Sequence, residues 1–539
     1  MKKLYLFLSL LMLTTTLHAQ TYTTTQITNN TINDQFVSIN SRGDLMWVVD
    51  TIYPSSDLYK YDAATQTTTQ FHSGDHINVW FLLENGDIYW EEFDGNDFEI
   101  FKYNTVSKQS IALTNNDNDD VALQVNERGD ATWFQTFFDV NNGWTDDVYV
   151  RYASDGVILR LTHSDVDIND QGNRPRISAS GEIAWQGAVD RHVYHYDPVT
   201  QAVTDLVAGS VAEHWKPEIA DNGDIVWTVF NISDPNLPLD FILHRDAASG
   251  TLTMMEGYKF DINNNGDVLY AAREAGTLNR GVFHFASETG IINQVMPYHT
   301  DVRYELKIND RGDMAWSRGN FQFNDASLFL RDASTETVNQ LATTLVLDTV
   351  EEGWDLSENG DLFWVLYDTD DEIYVYDSET ATTTMLTNNA LNDDYPAINA
   401  KGDVAWEQWD GDAEIFIALK NQAPTMALDV NKLKIGKARV DLKAKFDFPG
   451  LPADTDHIQI SIDGITLADV VFSDFHSHRT VYEYETRRVE IEIKFSRGKL
   501  EVELRRVNLS GIDLSDGADV QIAFGSTIGS DHVPLKDIK

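Results

Sequence analysis

None of the 539 residues is cysteine, which removes disulfide frameworks, thiolate metal sites, cysteine nucleophiles and a lipidated N-terminal cysteine at once. Basic residues are scarce. Lys and Arg number 40 against 86 Asp and Glu, a formal charge of −46, so neither nucleic acid nor an anionic membrane surface is an expected partner. After the first twenty residues no apolar run approaches the eighteen or so that a membrane helix needs, so membrane insertion is not expected. Helix-period patterning is missing, as are a Gly-rich phosphate loop, His-Glu-x-x-His and Gly-x-Ser-x-Gly. What remains is 42% hydrophobic and 11% aromatic: enough for a large core, in a chain too long for one compact domain.

The first residues, MKKLYLFLSLLMLTTTLHAQ, put Lys2 and Lys3 before an apolar run and Ala19 at a cleavage position. This reads as a signal peptide over 1–19, and the mature chain is expected to be secreted or periplasmic.

One unit then recurs nine times, a Gly followed by an acid, two further residues and usually Trp. The glycines are Gly43, Gly86, Gly129, Gly181, Gly223, Gly266, Gly312, Gly360 and Gly402, 42 to 52 residues apart, and eight of the thirteen tryptophans occupy the motif. Each unit holds four short runs of strand chemistry. The expected fold is therefore all-β, a nine-bladed β-propeller of four-stranded blades over 20–421. Residues 23–34, TTTQITNNTIND, match 382–393, TTTMLTNNALND, while the last unit ends without its fourth strand. The N-terminal strand is thus expected to pair beside 414–419 and close the ring, removing two exposed strand edges.

YPAINAKGDVAW at 395–406 and KPEIADNGDIVW at 216–227 resemble the TolB-like, WD40-like family of bacterial propeller repeats. The resemblance covers 20–421 and departs from TolB in having nine units, no preceding α/β domain and an added C-terminal region. It implies the fold and says little of function. Past a linker at 422–429 the composition changes. From 426 onward there is no Trp, and 16 basic residues face 19 acidic ones. VEIEIKF at 489–495 and LEVEL at 500–504 alternate as a hairpin with one wet face, so a β-sandwich is expected over 430–539.

Arg42-Gly43-Asp44, Arg128-Gly129-Asp130 and Arg311-Gly312-Asp313 spell an adhesion tripeptide, but nine copies with a varying first residue call only for a turn. The longer loops fall on the opposite face, the expected binding face. His76, His163, Arg174, His214, Trp215 and His299 are the candidate binding residues there, with Tyr298 and Arg303 beside them, for a protein, peptide or carbohydrate ligand. His195, His244 and His284 read as inter-blade packing. Two repeated acidic loops, Asp94, Asp97 and Glu99, and Asp410, Asp412 and Glu414, have the oxygen spacing for Ca²⁺, against the plainer reading of solvated turns. Asp165-Val-Asp-Ile-Asn169 is not an EF-hand, since Asp170 and Arg176 stand where Gly and Glu are needed. The expected function is binding or scaffolding without catalysis. The alternative is a metal-assisted polysaccharide lyase or glycoside hydrolase at the channel mouth, with an acidic face opposing anionic sugars.

Overall fold

The computed structural model describes residues 22–539 apart from 53–54, 140–142, 163–173, 188–189, 231–239, 278, 301–304, 321–324, 346–352, 368–369, 421–427, 437–438, 447–456, 463–464, 479–480, 495–496, 498, 507–516, 525–526, 535–537 and 539. The expected leader and His163 lie outside the described residues, as do much of the longer loops. No described helix is long and apolar enough to cross a membrane. The chain falls into two compact units, one within 21–420 and one within 421–539.

In the first unit seven antiparallel sheets have four strands each. An eighth, of eight strands, is two such blades joined through the single pair Asp75↔Phe93. These are the nine blades of a propeller. In chain order they span 34–75, 80–112, 119–160, 176–205, 213–256, 259–299, 306–345, 354–385 and 392–420, here blades 1 to 9. Tyr22–Gln26 pairs antiparallel with blade 9, from Tyr22↔Lys420 to Gln26↔Phe416, as its fourth strand. The ring closes as the split repeat predicts.

The repeat motif explains itself as hydrogen bonding. Gly43 sits at φ +81° and Gly402 at +84°, in the left-handed region that a short hairpin turn requires. Three residues before Gly43, Asn40 Oδ1 accepts the N–H groups of Arg42 and Asp44, both at 3.0 Å, while its Nδ2 donates to the Leu83 carbonyl of the next blade. Asn126, Asn263 and Asn309 repeat the inter-blade bond, and Asn399 Nδ2 donates to Asn40 O at 2.9 Å, so the latch crosses the closure. In eight blades the acid after the Gly is an Asp that accepts a backbone N–H at the end of the third strand. Asp44 accepts from Ala63 N at 3.0 Å and Asp313 from Ala333 N at 2.9 Å, tying the turn to the blade's outer hairpin. With Asp44, Asp130 and Asp313 1–3% exposed, the Arg-Gly-Asp tripeptides offer no carboxylate to a partner.

Blade interiors are built on the tryptophans. Trp47 lies on Tyr59, Trp90 on Phe101, Trp133 on Tyr149, Trp316 on Phe329 and Trp364 on Tyr374, each near 5.7–5.9 Å and within 18° of parallel. Stacked aromatic pairs of this kind add to the stabilisation from burial. His244 packs at a tilt against Phe285 of the following blade, 4.8 Å between ring centroids, and accompanies Asp224 at 3.1 Å. His195 faces Glu182 at 3.5 Å, and His284 lies 4.0 Å from Asp267.

The second unit is a β-sandwich. A six-stranded sheet runs Leu428–Gly436, Arg439–Phe446, Lys499–Arg505, Val489–Lys494, Val481–Glu485, His476–His478, and a four-stranded one Ile465–Val471, His457–Ile462, Gly517–Phe524, Thr527–Pro534. Leu442, Ile493 and Val502 of one sheet share a core with Ile460, Val520 and Ile522 of the other.

Candidate binding site in the propeller channel

Each blade's first strand lies at one end of its sheet and the nine converge around the channel. Regular alternation on these strands breaks in four blades. Register shifts fall between Gln35 and Ser38, Val121 and Gln124, Trp215 and Glu218, and Asp394 and Ala397. At each bulge a non-glycine residue takes positive φ: Phe36 at 60°, Ala122 at 61°, Lys216 at 52° and Tyr395 at 48°. A bulge re-aims a side chain and frees backbone N–H groups. Buried carboxylates of the preceding blade take those donors: Glu407 accepts from Phe36 N and Glu91 from Leu123 N. Two of the re-aimed side chains are large, exposed aromatics, Phe36 at 47% and Tyr395 at 39%.

Phe36 and Tyr395 open a pocket of about 280 Å³ whose lining also includes Trp80, Trp354, Lys307 and Asp355. These residues come from the first strands of blades 7, 8, 9, 1 and 2. Phe36 is central, 5.8 Å from Trp80 and 6.3 Å from Tyr395 between ring centroids. Lys307 and Asp355 meet across two blades at 3.1 Å, which leaves the pocket's polar edge neutral. The pocket can hold one ring or one side chain between aromatic faces.

Sequence reasoning missed these residues. A signal was present: Pro396 follows Tyr395, Pro217 follows Lys216 and Pro175 follows Arg174, and proline within a strand marks a bulge or an edge.

The residues singled out from sequence do not form one cluster among the described residues. His214 is 3% exposed. Its Nδ1 accepts from Trp227 Nε1 at 2.9 Å and its Nε2 meets Ser210 Oγ. In three other blades an Asp thirteen residues before the Trp does this work: Asp34 for Trp47, Asp120 for Trp133 and Asp393 for Trp406. His214 is the neutral substitute for that Asp, which is a packing role in place of the expected mouth position, and burial holds it down to about 4. Trp215 is half-buried, with the Arg191 guanidinium 4.5 Å over its ring. His76 packs edge-on against Phe93 at 5.9 Å in blade 2. His299 ends blade 6 opposite Arg280. Arg174 is exposed, and its charge acts on the buried Glu91.

The two acidic loops are occupied by their own backbones. Asp94 Oδ1 accepts from Asn96 N and Asp97 N. Glu99 takes the N–H of Asn116 and Glu414 that of Asn30, each in the turn that precedes the next blade's first strand. Asp410 and Asp412 flank the turn facing Asn33, which bonds Ala413 N at 3.2 Å. Among the described residues no three His, Asp or Glu side chains converge as a metal ion would require.

Buried carboxyls give the fold a pH dependence of definite sign. Burial pushes Glu91 and Glu99 up to about 7 and Asp261 and Asp394 up to about 6. A raised carboxyl stabilises the fold fully below its unfolded pKa near 4 and loses that contribution as pH rises through 6–7. His214 acts oppositely, but only below about 6.5. Calorimetry at fixed ionic strength is therefore expected to show a melting temperature a few degrees higher at about pH 6.5 than at pH 8, with Glu91→Gln flattening the difference. A lower melting temperature at the more acid pH contradicts this.

The sequence matches no protein-family profile and no curated protein. Solved structures resemble the chain as propellers. Dipeptidyl peptidase 4 from Porphyromonas gingivalis aligns at 10% identity over 67% of this chain and 64% of its own, with a TM-score of 0.43, so the chain spans less than two thirds of that structure's length. TolB from Acinetobacter baumannii aligns at 12% identity over 57% and 78%, TM-score 0.28. Oligogalacturonate lyase from Vibrio parahaemolyticus aligns at 10% over 64% and 98%, TM-score 0.34.

Proposed function

We propose that the chain is an exported binding protein whose propeller channel takes a ring or side chain of a carbohydrate, peptide or protein ligand between aromatic faces. The carrying observation is the pocket in which Phe36, Trp80, Trp354 and Tyr395 converge from four blades. Exposed aromatic side chains held by a strained backbone are costly for a monomer to keep, and a ligand that covers them accounts for both features. The polar lining, Lys307 with Asp355, is a closed ion pair and supplies no poised acid and base. The leader-like N-terminus supports export.

The test is a calorimetric screen of neutral oligosaccharides and short peptides. Tyr395→Ala is expected to weaken the best hit by about thirtyfold, the cost of truncating an anchoring aromatic. Arg42→Ala, on the Gly-turn face, leaves it unchanged. Equal loss from both variants, or from Arg42→Ala alone, places the site elsewhere.

A further inference from the structure

The polar edge of the aromatic pocket is half open to solvent. Lys307 is the exposed middle residue of Leu306–Ile308, between two buried neighbours, and Asp355 is the middle residue of Trp354–Leu356 in the next blade. Their charged ends meet at 3.1 Å while the side chains stay 46% and 43% exposed. Asp355 Oδ1 takes that contact and also the N–H of Leu356 at 2.9 Å. Among the described residues Asp355 Oδ2 has no hydrogen-bond partner, and the Lys307 ammonium has this one carboxylate for its three donors. Both groups line the same pocket as the rings.

Burial works against the Lys307 charge, but Asp355 and Asp261 outweigh it and hold the ammonium above its ordinary range. An anionic group arriving here meets two carboxylates around one ammonium. An apolar side chain covers the pair and strips its water while returning no hydrogen bond. Adjacent hydroxyls fit. Each hydroxyl both accepts and donates, so one accepts from Lys307 Nζ while its neighbour donates to Asp355 Oδ2, and the ion pair stays intact. A pyranose ring joins such hydroxyls to an apolar C–H face, and Phe36, Trp80, Trp354 and Tyr395 offer aromatic faces in the same pocket.

We infer that the pocket takes a pyranose unit of a neutral oligosaccharide, its apolar face on the rings and two adjacent hydroxyls bridging Lys307 and Asp355. The inference rests on the channel being the binding site and chooses one of the ligand classes proposed for it. The acidity of the chain agrees with the choice, since an uncharged saccharide carries nothing for the 86 acidic residues to repel.

Calorimetric titration with neutral tetrasaccharides of glucose, mannose, galactose and xylose, beside tetragalacturonate and an oligoproline peptide, tests it. A neutral tetrasaccharide is expected to bind, and Lys307→Met and Asp355→Asn are each expected to weaken it about tenfold, the loss of a hydrogen bond to a charged group. Melting curves of each variant confirm folding. One monodeoxy analogue of the bound sugar is expected to lose the same factor against the unaltered protein and little more against Asp355→Asn, whereas an ion pair with a merely structural role gives additive losses. Binding of a neutral saccharide that ignores both variants, or binding by the peptide or tetragalacturonate and by no neutral saccharide, overturns the inference. Peptide binding that Tyr395→Ala weakens then leaves the aromatic pocket standing, and no binding by any probe removes both.

Discussion

A chain lacking residues 20–30 is expected to melt several degrees below the intact one. Tyr22–Gln26 supplies five residue pairs to blade 9, and the segment after it adds Ile27 N to Ile415 O at 2.8 Å, Ile415 N to Thr28 Oγ1 at 2.8 Å and Asn30 N to Glu414. Its removal exposes the edge of Ala413–Lys420, whose Ile415 and Ile417 are now buried. It also leaves the buried Glu414 without its backbone donor. An unchanged melting temperature contradicts closure by this strand.

Trp133→Ala is expected to destabilise the propeller by about 3–5 kcal/mol, the range for truncating a fully buried Trp. The ring is 1% exposed, lies 5.9 Å from Tyr149 and donates to Asp120 at 2.7 Å. Trp133→Phe keeps most of the buried area and costs less, since Gln135 still donates to Asp120 at 3.0 Å. Tryptophan fluorescence during urea unfolding follows the propeller alone, because residues from 426 onward contain no Trp. A loss below about 1 kcal/mol for Trp133→Ala means that the blade repacks.

The fold was legible because its determinants are local and repeated. Gly-Asp-x-x-Trp fixes a turn and a core position within five residues, and Thr23 to Asp34 copies the strand and turn that blade 9 lacks. The channel site was not legible by the same means. Period-two alternation assigns facing only until a bulge, and the bulges at Phe36, Lys216 and Tyr395 turn side chains from where the alternation puts them. His214 shows the opposite error. A histidine near a loop reads as a ligand, while its spacing of thirteen from Trp227, equal to that of Asp34 from Trp47, marks it as a hydrogen-bond acceptor.

The central claim is that ligand enters the channel beside Phe36 and Tyr395. Fluorine NMR of protein carrying 5-fluorotryptophan tests it most directly, with the Trp80, Trp354 and Trp406 signals assigned by single Trp→Phe variants. Titrating the best hit of the carbohydrate and peptide screen is predicted to shift Trp80 and Trp354, which line the pocket, and to leave Trp406, enclosed within blade 9, in place. Saturable binding with Trp80 and Trp354 unmoved would contradict the account.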